Sequence, residues 1–110
     1  MVATKSNRAE VGASYLNDFA AGVTTVVTPA ANTRGIVIRT FARSSTAAGI
    51  GLYADTAAPS AYTDLTKRRV WVGGGTEWWM WFGEIFIPPG NGLYVAASAL
   101  VLGNMTYDVL

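Results

Sequence analysis

A chain of 110 residues with a net charge of +1 holds enough apolar surface for one hydrophobic core and carries no global field that would hold nucleic acid or an anionic membrane. It contains no cysteine and no histidine, which removes disulfides, thiolate and Ser-His nucleophile systems, the usual zinc ligands and the commonest general base. The expectation is a non-enzyme with no catalytic residue, no cofactor and no metal site.

Charged residues make up 14% of the chain and apolar ones 51%, too little charge to cover a free monomer, so part of the surface is expected to be hidden against partners. A monomer kept soluble by Ser, Thr and Gly is the alternative. The N-terminal residues lack the apolar core of a signal peptide, and the longest apolar-rich run, residues 93–102, is too short to span a bilayer. Both observations point to a soluble protein made in the cytoplasm.

Residues 1–22 are rich in Ala, Ser and Asn with scattered Lys5, Arg8, Glu10 and Asp18, and read as an N-terminal arm. Val11, Tyr15 and Phe19 fall at four-residue spacing, and Asn7 with Glu10 resembles a capping box, so one or two helical turns are allowed; Gly12 and Asn17 oppose them. The arm is expected to reach either the domain itself or a neighbouring copy, with Val11, Tyr15 and Phe19 as its contacts.

From residue 23 to 110 the pattern is short β-branched and aromatic runs between Gly, Pro, Asn and Asp clusters, which predicts an all-β domain, an antiparallel sandwich of jelly-roll type with about seven strands. VTTVVT (23–28) is closed by Pro29 and Asn32. GIVIRTFAR (35–43) alternates in the manner of a half-buried strand, and IGLYAD (50–55) follows. Residues 55–67, with Pro59 and no period, read as a long surface loop. RVWV (69–72) and EWWMWF (77–82) flank Gly73, Gly74 and Gly75, which fits a hairpin; a phosphate-binding loop would need a following helix and a lysine, and a Trp-rich strand follows instead. EIFI (84–87) leads into the rigid corner Pro88-Pro89-Gly90-Asn91-Gly92, and GLYVAAS (92–98) and MTYDVL (105–110) complete the sheets.

The strongest local signal is the run from Glu77 to Phe82, apolar on both strand faces: Trp78, Met80 and Phe82 on one, Trp79 and Trp81 on the other. A two-layer sandwich buries one face, so the other needs a loop, the arm or a second subunit. Two uncovered Trp would expose roughly 300 to 500 Å², as large as the biggest patch on most monomers. Trp79 and Trp81 are therefore candidate interface residues, with Arg39 and Phe41 from the neighbouring run. Alternatively, Trp71, Trp79, Trp81 and Tyr62 present flat rings to a sugar.

The basic groups Arg34, Arg39 and Arg43, and Lys67, Arg68 and Arg69, match no nucleic-acid module and read as rim charges, solvated or paired across an interface. The seven carboxylates are scattered; a glycosidase pair across a cleft and a calcium site on Asp55 and Asp64 are both weak matches.

The runs VVTPAANTRGIVIRT (26–40), GEIFIPPGNGLYVAAS (83–98) and the terminal MTYDVL together resemble small accessory proteins of tailed bacteriophages and prophages. That resemblance implies a β-sandwich serving as a capsid-decoration, head-tail or tail-appendage subunit, located in the virion and assembled from copies of itself with other virion proteins. It implies no catalytic residue and transfers no site residue. The second functional expectation is a module that binds a glycan or host receptor.

Overall fold

β-Branched and aromatic residues lose rotamer freedom in a helix and pack well on a pleated surface, so runs of them extend as strands. The computed structural model describes residues 10–44, 48–73 and 79–110, without the side chains of Trp79 and Phe82. In chain order the strands are β1 (Ser14–Phe19), β2 (Gly22–Val27), β3 (Ile36–Arg43), β4 (Ile50–Asp55), β5 (Arg69–Gly73), β6 (Trp79–Ile87), β7 (Gly92–Ala97) and β8 (Val101–Val109). A single 3-10 turn, Pro29–Ala31, separates β2 from β3 and is capped by Thr28, whose hydroxyl accepts from the Ala31 N–H.

Two four-stranded antiparallel sheets pack face to face, in the orders β1-β8-β3-β6 and β2-β7-β4-β5. Every connection except β4 to β5 carries the chain from one sheet to the other, which is the winding of a two-sheet jelly roll. The inner faces supply the core. Phe19, Ile36, Ile38, Phe41, Ile87, Val101 and Met105 from the first sheet meet Ile50, Leu52, Leu93 and Val95 from the second. Each such side chain contributes about 1.5 to 3 kcal/mol on burial.

Three expectations change. The expected arm is in part sheet: Ser14–Phe19 is an edge strand paired with β8, not a helix. An irregularity between Asn17 and Phe19, with Asp18 at φ 60°, shifts the alternation so that both Leu16 and Phe19 turn inward. Phe19 is accordingly core rather than an arm contact. Residues 1–9 of the expected arm lie outside the described residues.

The expected hairpin across Gly73–Gly75 is not formed, because β5 and β6 edge different sheets. Glycine between two β-runs marks a change of direction, and a turn within one sheet and a passage between sheets ask for the same residues. EWWMWF and EIFI, read as separate runs, contribute to one strand, β6, with Gly83 at its middle.

One polar residue ties two connections together. Asn32, almost fully buried, donates from Nδ2 to the Pro88 and Asn91 carbonyls at 2.8 Å each and accepts from the Gly35 N–H at 2.7 Å. Its own carbonyl accepts from the Gly90 N–H. One amide thereby ties the β2–β3 connection to the Pro88-Pro89-Gly90-Asn91 corner.

Candidate functional site

A sandwich has two outer faces, and this one covers them unequally. On the second sheet, Tyr53, Tyr94 and Ala96 are buried on the outer side, with Tyr62 of the 56–68 loop packed over them. The Tyr53 hydroxyl lies 2.8 Å from the Tyr62 carbonyl and 3.0 Å from that of Asp64, donating into the loop backbone. Burial raises the Tyr53 and Tyr94 pKa values above the ordinary phenol range.

Asp55 and Asp64 organise this loop. Asp55 accepts from the Thr56 and Arg68 N–H groups at 2.6 and 2.9 Å. Asp64 accepts from the Ser60 and Thr66 N–H groups at 2.9 and 2.8 Å and from the Thr66 hydroxyl at 2.6 Å. Asp55 is held below the ordinary carboxylate range chiefly by the Arg68 N–H, and Asp64 chiefly by the Thr66 hydroxyl. Both carboxylates act as turn caps here, and among the described residues no group of three His, Cys, Asp or Glu could hold a metal ion.

The outer face of the first sheet is built differently. β3 carries an irregularity between Ile38 and Thr40 against both neighbours, which lets Ile38 and Phe41 both face the core while Arg39 reaches across the outside. Its Nη1 meets Glu84 of β6 at 2.7 Å and its Nε meets Asp108 of β8 at 2.9 Å. The other Asp108 oxygen accepts the Ala13 N–H at 2.6 Å, and the Gly12 N–H donates to the Thr106 hydroxyl, which also pairs with that of Thr40 at 2.6 Å. A polar chain thus runs from β6 across β3 and β8 to the segment ahead of β1. Asp108 is held below the ordinary range first by the Ala13 N–H and then by Arg39, and Arg39 is raised chiefly by Asp108. Gly12 lies directly on the Tyr107 backbone, where any Cβ would collide.

Around this polar chain the face is apolar and exposed: Tyr15 is 68%, Met80 63%, Phe86 54% and Leu102 56% accessible. Met80 and Leu102, with Ala42 and Asn104, line an open groove of about 470 Å³. No described segment covers these side chains as the 56–68 loop covers the opposite face.

Of the residues proposed for an interface, Val11 and Tyr15 are exposed, and Arg39 is paired within its own sheet. Phe19 and Phe41 are core and offer nothing to a partner; their rings stack on each other at 5.4 Å. Phe41 faces inward because of the β3 irregularity, which plain alternation does not anticipate. Trp81 is half-buried against the core, and the Trp79 side chain lies outside the described set. Of the rings proposed for stacking, Trp71 and Trp81 line a cavity of about 160 Å³ between the sheets, with Ile38, Phe41, Leu52, Val70 and Ile85. Trp71 lies 5.0 Å from the Phe41 ring, and Tyr62 is committed to the loop cover. Met80, Phe86 and Leu102 were not singled out from sequence; the readable signal was strand alternation, which sets Met80 opposite in sense to Trp81.

No protein-family model, no curated protein and no solved structure matches this chain.

Proposed function

We propose that this chain is a non-enzymatic structural subunit of a virion, a capsid-decoration or other head or tail accessory protein that acts through contacts with its own copies and with other virion proteins. The observation that supports this reading is the unequal covering of the sandwich: one outer face sealed by its own loop, the other apolar and open across Tyr15, Met80, Phe86 and Leu102. Covering about 300 Å² of that face contributes on the order of 7 kcal/mol, comparable to the cost of association, so these side chains supply part of what a protein contact needs. The two-sheet jelly roll recurs in viral capsid and lectin domains, an analogy of fold only.

The glycan or receptor module is the weaker reading, because Trp71 and Trp81 sit between the sheets rather than as a flat platform. Mass spectrometry of gradient-purified particles from cells expressing the chain tests the proposal. The chain is expected in the particle fraction at a fixed ratio to the major shell protein, retained through a high-salt wash. Its absence from particles, together with a saturable Trp fluorescence shift on a glycan panel, would transfer the assignment to the binding module.

A further inference from the structure

The irregular stretches of β3, β5 and β6 lie around one space. β3 holds one residue more than β8 between Ile38 and Thr40, and β6 holds one more than β3 between Phe82 and Ile85. β5 carries an extra residue, Val70, where Leu52 and Tyr53 of β4 pair with Trp71 and Arg69. Irregularities of this kind re-aim side chains. Here they turn to one side residues that plain alternation would send apart, Ile38 with Phe41 and Val70 with Trp71, and the space they border is the cavity of about 160 Å³ between the sheets. Its floor is Ile38, Phe41 and Leu52, all buried. Val70, Trp71, Trp81 and Ile85 are half-buried and belong to β5 and β6, the edge strands of the two sheets, so the mouth opens on that side of the sandwich.

Glycine lays both indoles back along their own strands. Trp71 lies against Gly73 and Trp81 against Gly83, in each case the residue two places further on. A Cβ at Gly73 would collide with the Trp71 ring, and one at Gly83 would stand 3.2 Å from the Trp81 ring. Glycine inside a strand gives up packing and marks a close approach. A larger residue at either place would drive the ring off its strand, and the open space that each ring borders is the cavity.

Size and lining select the ligand. No charged, amide or hydroxyl side chain lines the cavity, so a sugar or an ion would give up its water without replacement. Drug-sized ligands ask for about 300 Å³ or more. An engineered apolar cavity of about 150 Å³, lined by Leu, Ile and Phe, stays dry and binds benzene, and indoles at the wall favour an aromatic guest set edge to face. We infer that this space is a binding site for one small neutral apolar ring, a molecule of benzene size, taken up between Trp71 and Trp81 over Phe41 and Leu52. The site goes beyond the structural-subunit reading and stands or falls independently of whether the chain is found in particles.

Benzene titrated into the full chain tests it, followed by side-chain methyl NMR signals and by the melting temperature. The Ile38, Leu52, Val70 and Ile85 methyls are expected to shift together and saturably, with a Kd on the order of 1 mM or tighter. The melting temperature is expected to rise with benzene concentration, and glucose at the same concentrations is expected to move neither signal. Val70→Phe fills the mouth and should weaken benzene binding at least about tenfold, and Gly73→Ala, by driving the Trp71 ring from its strand, at least about fivefold; circular dichroism confirms the fold of each. Binding of native strength in either folded variant overturns the site. Shifts that never saturate and spread equally to Met80 and Leu102 on the exposed face, or no shift at the four methyls, overturn it as well.

Discussion

Arg39 on β3 holds Asp108 on β8 at 2.9 Å, and the same carboxylate fastens the Ala13 N–H from its other oxygen at 2.6 Å. One acidic side chain therefore stitches the segment ahead of β1 to the middle of its sheet. Its lowered pKa has a definite consequence for pH. A carboxylate depressed in the folded state adds stability above its unfolded pKa, near 4, and that stability is lost as pH falls through the folded value. Asp55 and Asp64 shift in the same direction. The raised Arg39 adds no titration in the working range, because its stabilisation is lost only at extreme alkaline pH. The melting temperature is expected to be flat from about pH 8 to 5 and to fall below about pH 4. Asp108→Asn should lower it slightly at neutral pH and flatten the acid decline, which a thermal series across pH checks.

Asn32 makes the most consequential polar contact inside the fold. Replacing it with Ala strands the Gly35 N–H and the Asn91 carbonyl, while the Pro88 carbonyl keeps the Asn91 side-chain amide as a donor at 3.1 Å. The expected loss is about 3 kcal/mol in urea unfolding, since orphaned buried groups cost about 1 to 3 kcal/mol each and some will find water. Asn32→Asp should be at least as harmful at neutral pH, because a carboxylate oxygen would face two carbonyls.

How much of this was legible beforehand depends on what each signal measures. Alternation and turn residues located the strands from residue 23 onward because period-two burial is written directly in the side chains. β1 escaped notice because Val11, Tyr15 and Phe19 satisfy a helical spacing, and the strand reads correctly only once Asp18 breaks the alternation. The same limit moved Phe41 from a candidate surface into the core. For β6, both faces are apolar, so sequence separated Trp81 from Met80 without telling which turns inward. The Arg39–Glu84–Asp108 chain joins positions 45 and 69 residues apart, which is set by strand order and by no local motif.

Gly12 offers a test confined to one contact. A methyl group there meets the Tyr107 backbone, which cannot move without disturbing β8. Gly12→Ala is expected to lift the Glu10–Ala13 stretch from the sheet and break the bonds to Thr106 and Asp108, leaving the core in place. Amide hydrogen exchange at residues 12 and 13 should accelerate about tenfold or more while Ile38 and Val95 stay protected. Equal acceleration across the sheet would show that this segment is part of the cooperative core.

The loop over the second sheet rests on one hydroxyl. Tyr53→Phe keeps the ring that fills the Tyr94 and Ala96 cluster and deletes the O–H that serves the Tyr62 and Asp64 carbonyls. Those carbonyls lie in a loop that water can reach, so the cost is expected at about 1 kcal/mol, within the usual range for a single net hydrogen bond. The larger effect should be local. Exchange and proteolysis within residues 56–68 should increase while the mass of the protein in solution is unchanged. If Tyr53→Phe instead altered the oligomeric mass, the tyrosine face would have to take part in assembly, and the division of labour between a sealed face and an open one would fail.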